Sequence, residues 1–237
     1  MSAVQGFNTA RGSSEQCLKR GKAFDSLSCI RGGQWGIQGI PSMISRATTN
    51  GRRPLVHSAA MTDEVMARGK FLQLVRRNSW EFCERVVGTG VVLIVAVTRE
   101  KKMLLVEQFR PALNANVLEV PAGLVGDIAG SSGEAFTEAA KRELVEETGY
   151  EPGRVVFLAE GPVSSGLTNE VVSFFLASDL KKVGDGGGDE SEDIAVHEIE
   201  VDEVENFAAE RAQHGCLVDP KLYAALYFAK KHLGSVK

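Results

Sequence analysis

Three glutamates in the segment EAFTEAAKRELVEET (134–148) have the spacing of a metal-binding helix face. In a helix over 134–148, Glu143, Glu146 and Glu147 stand at positions i, i+3 and i+4, so their carboxylates project from one face. Such carboxylates repel one another unless a cation lies between them, and hard oxygen ligands suit Mg²⁺. Arg142 is placed to orient one of them by a bidentate hydrogen bond. The spacing alone also fits an ordinary solvated face of a Glu- and Lys-rich helix.

The elements around these carboxylates predict a mixed α/β domain. An apolar stripe on the same helix, formed by Phe136, Ala139, Ala140 and Leu144, is suited to close packing on a sheet. A Gly- and Ser-rich loop (123–133) precedes the helix, and Gly149 ends it. Two more helices are expected, one over about 202–213 and one that starts at Asp219-Pro220, with Asp as N-cap and Pro at the first helical position. Strands are expected at 71–75, 80–87, 90–98, 103–108, 117–120, 154–159, 171–177 and 194–199. Because strands outnumber helices and the order is not a strict βαβ alternation, the sheet is expected to be mixed.

A second group of carboxylates follows a glycine-rich stretch. The stretch GDGGGD (184–189) has no turn pattern of its own and predicts a flexible loop, which the acidic segment DESED (189–193) continues. On its own, such a segment is typical of a solvated run of charge.

Charge is divided unevenly along the chain. The first 60 residues carry eight Lys and Arg against two Asp and Glu, whereas 61–237 carries 19 against 29. So acidic a body argues against primary nucleic-acid binding, since clustered Lys and Arg hold phosphate backbones. Excess carboxylate suits a site that collects divalent cations. Four scattered cysteines without CxxC pairs fit a reducing compartment, and no apolar run approaches the length of a membrane span. We therefore expect a soluble, cytoplasmic protein without a membrane partner.

Residues 1–60 are expected to form a leader separate from a domain at 61–237. They contain eight Gly and eight Ser without sustained periodicity, so they cannot bury enough apolar surface to offset the entropy of ordering them. An Arg- and Ser-rich, acid-poor composition also fits an organelle transit peptide, and Met61 is an alternative start. A disordered or non-native leader is favoured over targeting.

The residues around the three glutamates resemble the Nudix signature. Glu134, seven residues and then RELVEETGY (142–150) match its second part, which reads Glu, seven residues, Arg-Glu-apolar-x-Glu-Glu-x-Gly-apolar. The glycine of the signature corresponds to Gly123, and ten residues separate it from Glu134 instead of five. The longer loop leaves two possible helix starts, a capping box at Ser131-x-x-Glu134 or an uncapped later start.

The resemblance extends over almost all of 61–237 and indicates the branch that hydrolyses ADP-ribose and nucleoside-diphosphate sugars. The segments that match this branch in order are GKF (69–71), WE (80–81), EQFRP (107–111), LEVPAG (118–123), SSGLTNE (164–170), DESEDI (189–194) and VDPKLY (218–223). Ser165 stands where these enzymes usually have proline, so other sugar nucleotides stay open as substrates.

The resemblance implies a Nudix α/β/α sandwich around a mixed β-sheet, with a small N-terminal antiparallel extension over about 62–90. The extension would pair with, or swap into, a second subunit of a homodimer. The implied reaction is Mg²⁺-dependent hydrolysis of ADP-ribose to AMP and ribose 5-phosphate, with Mn²⁺ as a substitute metal. The alternatives are another nucleoside-diphosphate sugar, such as GDP-mannose or UDP-glucose, and a non-catalytic Nudix-fold nucleotide sensor. The presence of all three helix glutamates favours an enzyme.

The resemblance also implies the roles at the metal. Glu143 and Glu147 are the core Mg²⁺ ligands, Glu146 assists, and Arg142 orients a ligand. The backbone carbonyl of Ala122 is a further ligand.

Two loop carboxylates and four other side chains complete the expected site. Glu190 and Glu192 match the positions that serve as general base and metal ligand, and their roles are not separated. Trp80 and Phe71 would stack an adenine from opposite subunits, or else pack in a strand or dimer core. The remaining two candidates have substrate-binding or purely structural interpretations: Arg110 would hold a phosphate or the ribose or lie on the surface, and Glu119 would touch substrate or end a strand.

Overall fold

The computed structural model describes residues 62–126, 133–188 and 192–234. The expected leader lies outside the described residues, and so do the Ser131 capping box and Glu190. The division into a leader and a domain at 61–237 therefore stays a prediction.

Helices and strands of the described residues follow the expected order, with additions. The strands are Asp63–Arg68 (β1), Leu72–Arg77 (β2), Trp80–Arg85 (β3), Gly90–Ala96 (β4), Lys102–Arg110 (β5), Ala115–Glu119 (β6), Ala122–Val125 (β7), Tyr150–Pro162 (β8), Val171–Lys182 (β9), Ile194–Glu200 (β10) and Leu217–Val218 (β11). The α-helices are Phe136–Thr148 (α1), Val204–Gln213 (α2) and Lys221–His232 (α3), and a short 3₁₀ helix at Val201–Glu203 precedes α2. No helix among the described residues is long and apolar enough to cross a membrane.

The described strands form three sheets. The first, β1-β2-β3, is antiparallel and is the expected N-terminal extension. The second has the order β10-β5-β6-β11 and the third the order β7-β4-β9-β8. Each of these two is mixed, because β11 runs parallel to β6 and β4 runs parallel to β9, whereas their other pairs are antiparallel.

Strand β4 shows how the layers are arranged. Successive side chains of a strand point to opposite faces. Leu93 and Val95 pack in one core cluster with buried residues of α2 and α3, whereas Val92 and Ile94 pack in the other cluster with buried residues of α1. The helices thus cover both faces of the sheets, and the predicted α/β/α architecture with mixed strand orientation is confirmed.

Helix α1 packs through the predicted stripe and begins at the later of the two predicted starts. Ala139, Ala140 and Leu144 are fully buried, and Phe136 packs against the same cluster. Gly149 ends the helix in the left-handed region, at φ 74°, and its N–H bonds to the Val145 carbonyl. Of the two starts that the sequence left open, the structure shows the uncapped later one: α1 starts at Phe136 without a side-chain cap.

Pairing between distant strands explains the other differences. The loop expected from 123 begins only after Val125, because Ala122–Val125 pairs with β4 as strand β7. Strand β8 is much longer than the predicted 154–159, because it pairs with β9 from Tyr150 to Pro162 around one bulge. At α3, Pro220 and not Asp219 occupies the N-cap position, although the Asp219 carboxylate still accepts a hydrogen bond from the Lys221 N–H (2.8 Å).

Candidate active site

The buried face of α1 meets strand β7 through two glutamates. Glu143 and Glu147 are only 8% and 4% exposed. The Glu147 carboxylate accepts a hydrogen bond from the Ala122 N–H (3.0 Å). A Cβ atom at position 123 would overlap the carboxylate of Glu143, so glycine is required there for the helix to approach the strand. The Pro-Ala-Gly turn and the glutamate helix therefore form one structural unit.

Glu147 lies in a strongly acidic environment. Burial raises its pKa most, the Ala122 N–H opposes this rise, and the charges of Glu143 and Glu192 raise the pKa further, to about 8. Arg110 is close enough to lower it in part. A buried carboxyl with two like charges nearby is stabilised in its ionised form when a cation binds beside it.

Arg142 is held at the same end of the unit by several acceptors. It donates to Glu134 from Nε (3.1 Å), to Glu143 from Nη1 (2.8 Å) and to the Leu124 carbonyl from Nη2 (3.0 Å). Burial lowers the pKa of Arg142, but hydrogen bonds and charges from Glu134 and Glu143 outweigh it and raise the pKa above its ordinary value. Arg142 therefore keeps its charge and fixes Glu143 against β7.

Glu134 belongs to this network, although the sequence suggested no separate role for it. Its carboxylate accepts from the Gly126 N–H (3.1 Å) as well as from Arg142. These two contacts hold Glu134 beside Gly126, which directly follows β7, and beside Arg142. Its place in the signature was the one available signal.

Glu146 differs from the other two helix glutamates. Its side chain is 37% exposed and pairs with Arg142 at 3.7 Å. Among the described residues, no three acidic, His or Cys side chains form a ready-made metal cluster. The carboxylates around Glu147 nevertheless offer only oxygen donors. Because Gly123 has no side chain, the Glu143 carboxylate can lie directly against its backbone. This donor set fits a hard divalent cation such as Mg²⁺.

Arg110 and Glu119 form an ion pair beside this face. Arg110 donates from Nε to Glu119 at 2.7 Å, and its charge reaches Glu147. Burial raises the pKa of Glu119 despite that partner, and the nearby Asp219 charge adds to the rise. The structure thus brings Arg110 close to the helix glutamates, with Glu119 holding it.

Trp80 begins strand β3, and Phe71 directly precedes strand β2. The two residues are 59% and 62% exposed. Trp80 lines an open pocket of about 360 Å³, shared with Arg77, Asn78, Ser79, Phe82, Ser165, Thr168 and Asn169. Phe71 is not among the described residues that line this pocket. The structure of one chain therefore does not bring the two aromatic residues together.

The segment 164–170 is fastened to strand β3. The Cys83 N–H bonds to the Leu167 carbonyl (2.8 Å), the Asn169 amide donates to Glu84 (2.7 Å), and Arg85 pairs with Glu170. The N-terminal extension and this segment consequently form the two sides of the Trp80 pocket.

The glycine-rich stretch does more than the predicted flexible loop would. The N–H groups of Gly187 and Gly188 bond to the carbonyls of Glu147 (2.9 Å) and Glu146 (3.2 Å) at the end of α1. Sequence reasoning missed this contact, and the run of three glycines at 186–188 was the available signal.

Comparison with known proteins agrees with this geometry. The family model of the NUDIX domain matches residues 88–219, more than half of the chain. The chain therefore belongs to the Nudix family. The predicted recognition is confirmed, as is the prediction of an enzyme of the Nudix pyrophosphatase type.

Individual relatives have different names. The chain is 34% identical over 129 residues to the methanol dehydrogenase activator of Bacillus methanolicus, covering 54% of this chain and 67% of that protein. It is 35% identical over 121 residues to the ADP-ribose pyrophosphatase of Bacillus subtilis (strain 168), covering 51% of this chain and 63% of that protein. It is also 35% identical over 168 residues to the GDP-mannose pyrophosphatase of Escherichia coli (strain K12), covering 67% of this chain and 82% of that protein.

A solved structure shows the same fold. The crystal structure of an ADP compounds hydrolase superposes with a TM-score of 0.55 at 19% identity, covering 73% of this chain and 92% of that one.

Proposed function

We propose that the chain hydrolyses the diphosphate bond of ADP-ribose, giving AMP and ribose 5-phosphate, in a Mg²⁺-dependent reaction. The observation that carries this proposal is the buried pair Glu143 and Glu147 with Glu192 nearby. A protein gains little stability from crowding carboxylates in its interior, since burial disfavours their charge. A site for a divalent cation explains the arrangement.

The chain's own groups would hold the metal. Glu143, Glu147 and Glu192 are its carboxylate ligands, the Ala122 carbonyl is a further ligand, and Glu146 assists from the exposed side. When bound, Mg²⁺ neutralises charge on the diphosphate oxygens, and Mn²⁺ can substitute for it. Arg142 keeps Glu143 oriented, so the face is preorganised before substrate arrives.

A carboxylate from the acidic segment would take the proton of the attacking water. Glu192 lies close enough to Glu147 to raise its pKa, which supports a role for Glu192 beside the face of α1 that carries Glu143 and Glu147, here called the metal face. Glu190 is the other candidate from the same segment and lies outside the described residues. A base must come within hydrogen-bond reach of the water, and a carboxylate that approaches from opposite the helix meets this condition.

The substrate's other groups would contact residues around the metal face. Arg110, whose guanidinium is steadied by Glu119, is suited to bind a phosphate or the ribose. Trp80 offers an exposed indole for stacking on the nucleobase. In a homodimer, Phe71 of one subunit would close on the base from the side opposite the Trp80 of the other.

Exposed apolar residues on the N-terminal sheet support this homodimer. Val65 and Leu72 are each 50% exposed, and Phe71 and Trp80 are more so. Several large apolar side chains exposed within one small sheet are common at interaction sites. The homodimer, a cytoplasmic location and a leader separate from the domain at 61–237 are further parts of the proposal. The free thiols Cys83 and Cys216 among the described residues fit a reducing compartment.

GDP-mannose is the second candidate substrate. The relative named for it is matched over 82% of its length, against 63% for the relative named for ADP-ribose. Ser165, which stands in place of a usual proline, lines the same pocket as Trp80, so the pocket itself leaves this alternative open.

The test is a substrate panel with the full-length protein. The protein is incubated with Mg²⁺ and ADP-ribose, GDP-mannose or UDP-glucose, and products are separated by ion-exchange chromatography. We expect AMP and ribose 5-phosphate from ADP-ribose at the highest kcat/KM. A higher kcat/KM for GDP-mannose would transfer the assignment to the second candidate. If no sugar nucleotide is cleaved, but one of them binds in calorimetry, the chain is a sensor and the enzyme proposal fails.

A further inference from the structure

The end of helix α1 is held from outside by the glycine-rich stretch. The last carbonyls of an α-helix have no partner within the helix. Here Gly187 and Gly188 donate to the carbonyls of Glu147 and Glu146. The backbone carbonyls of Glu146 and Glu147 are therefore held by this stretch and not by solvent.

The same stretch holds the start of strand β10. The Ile194 N–H bonds to the Gly187 carbonyl at 3.2 Å. The peptide groups of Gly187 thus connect α1 on one side with β10 on the other. Glu192 lies two residues before Ile194, so its position is fixed relative to Glu147 by a short chain of backbone hydrogen bonds.

Glycine is required here by conformation and by space. Residues 186, 187 and 188 have φ values of 71°, 109° and 83°, which side chains other than glycine rarely adopt. A Cβ at Gly186 would lie 2.5 Å from the Glu147 carbonyl oxygen. A Cβ at Gly188 would lie 2.5 Å from Oε2 of Glu192 and 2.7 Å from its Cβ. The side chain of Glu192 therefore packs directly on the bare backbone of Gly188.

We propose that Gly188, in the tight bend that it forms with Gly186 and Gly187, is a positioning residue that sets Glu192 against the metal face of α1. The inference rests on the proposed function, because the metal face is part of it. Positive-φ glycines let the chain bend tightly around the helix end, and the missing side chain at 188 leaves the space that Glu192 occupies.

Two alanine substitutions in the same stretch separate positioning from loop geometry. Gly188→Ala places a methyl group against the Glu192 side chain. Gly184→Ala is the matched control, because its φ lies outside the left-handed region and its added Cβ meets no heavy atom within 4 Å. We expect Gly188→Ala to lower kcat for ADP-ribose about 10- to 100-fold with little change in KM, as when other supporting groups around a metal are lost. The control should stay within twofold.

A third variant accounts for backbone strain. At Gly187 an added Cβ lies 4.0 Å from its one neighbour, the Ile194 carbonyl oxygen, so Gly187→Ala introduces an unfavourable φ without pushing on Glu192. We expect Gly187→Ala to lower the midpoint of thermal unfolding as much as Gly188→Ala does, while lowering kcat much less. Equal losses of kcat in both variants would overturn the proposal and leave the glycines with a role in folding alone.

A double-mutant cycle and a binding measurement complete the test. In a Glu192→Gln background, Gly188→Ala should cause no further loss of kcat, because the group it displaces is already altered. Mn²⁺ binding, followed by electron paramagnetic resonance without substrate, should weaken about tenfold or more in Gly188→Ala and remain unchanged in Gly184→Ala. Additive effects in the cycle together with unchanged Mn²⁺ binding would refute the inference. If the parent protein cleaves no sugar nucleotide, the proposed function fails, while the Mn²⁺ comparison still decides the positioning role.

Discussion

Replacing Glu147 with glutamine should stabilise the protein when no metal is bound. Glu147→Gln keeps the shape of the side chain and an oxygen that accepts the Ala122 N–H, but it removes the buried charge. Burial, followed by the neighbouring carboxylates, raises the pKa of Glu147 from the ordinary 4.5 to about 8. Between these two values the folded protein holds a proton that the unfolded chain has released. Its free energy of unfolding therefore falls as pH rises through this window.

The size of the effect follows from the same values. Each pH unit above 4.5 lowers the free energy of unfolding of the metal-free parent by about 1.4 kcal/mol, so at pH 7 the loss is about 3 kcal/mol. We expect the free energy of unfolding of metal-free Glu147→Gln to exceed that of the parent by up to about this amount at pH 7. Near pH 4.5 the two values should be equal. Above the pKa of about 8 the difference levels off.

Urea unfolding in EDTA between pH 4.5 and pH 8 measures this difference. Glu138→Gln is the matched control, since Glu138 lies on the same helix with its side chain 62% exposed and pairs with the surface residue Lys141. We expect the control to shift the free energy of unfolding by no more than about 0.5 kcal/mol at any pH. Added Mg²⁺ should stabilise the parent and the control but not Glu147→Gln. A Glu147→Gln variant less stable than the parent at pH 7 in EDTA would show that the carboxylate is not under electrostatic stress and would refute this reasoning.

Three further predictions concern one buried ion pair and two residues that hold Glu143. Glu107 is buried and accepts two hydrogen bonds from Arg211 (2.9 and 2.6 Å). Burial raises its pKa, but Arg211 outweighs this and the net pKa is lowered, so its stabilising effect is present above about pH 4.5 and is lost as pH falls through the folded-state pKa. Glu107→Gln should cost about 2–4 kcal/mol in urea unfolding at pH 7, and the loss should shrink toward pH 3; a loss independent of pH would contradict the ion pair. Gly123→Ala should displace Glu143 and weaken Mn²⁺ binding at least about tenfold, and unchanged binding would mean that the glutamate is not a ligand. Arg142→Lys keeps the charge but loses the fork of donors, so kcat should fall about 10- to 100-fold with the fold intact by circular dichroism, whereas full activity would remove the orienting role.

Local patterns in the sequence were sufficient to predict the elements that carry the chemistry. The period of α1 is visible in its apolar stripe, and the glutamates at 143 and 147 follow from the same period. Gly149 predicts the helix end because its left-handed conformation is a local property. The central strands β4 and β5 are continuous apolar runs, which identify buried strands without knowledge of their neighbours.

The features that local reasoning missed depend on partners distant in sequence. Strand β7 exists because four residues pair with β4, and nothing within PAGLV itself indicates that pairing. Glu107 meets Arg211 across 104 positions of the chain. From the sequence, the glycines at 186–188 predict a flexible loop. Their hydrogen bonds to the end of α1 are visible only in the folded chain. Tertiary contacts, and not propensities, determine these parts of the site.

The central claim is that a buried carboxylate face on α1 supports metal-dependent cleavage of a diphosphate. Its most direct test is kcat/KM for ADP-ribose, measured with the full-length parent, Glu147→Gln and Glu138→Gln in Mg²⁺ and in EDTA. We predict cleavage by the parent and by Glu138→Gln in Mg²⁺, none in EDTA, and a loss of about a thousandfold in Glu147→Gln. That loss corresponds to about 4 kcal/mol of transition-state stabilisation, the scale expected for a metal-bound charge. Retention of activity by Glu147→Gln within a few fold of the parent, or equal activity in EDTA, would contradict the claim.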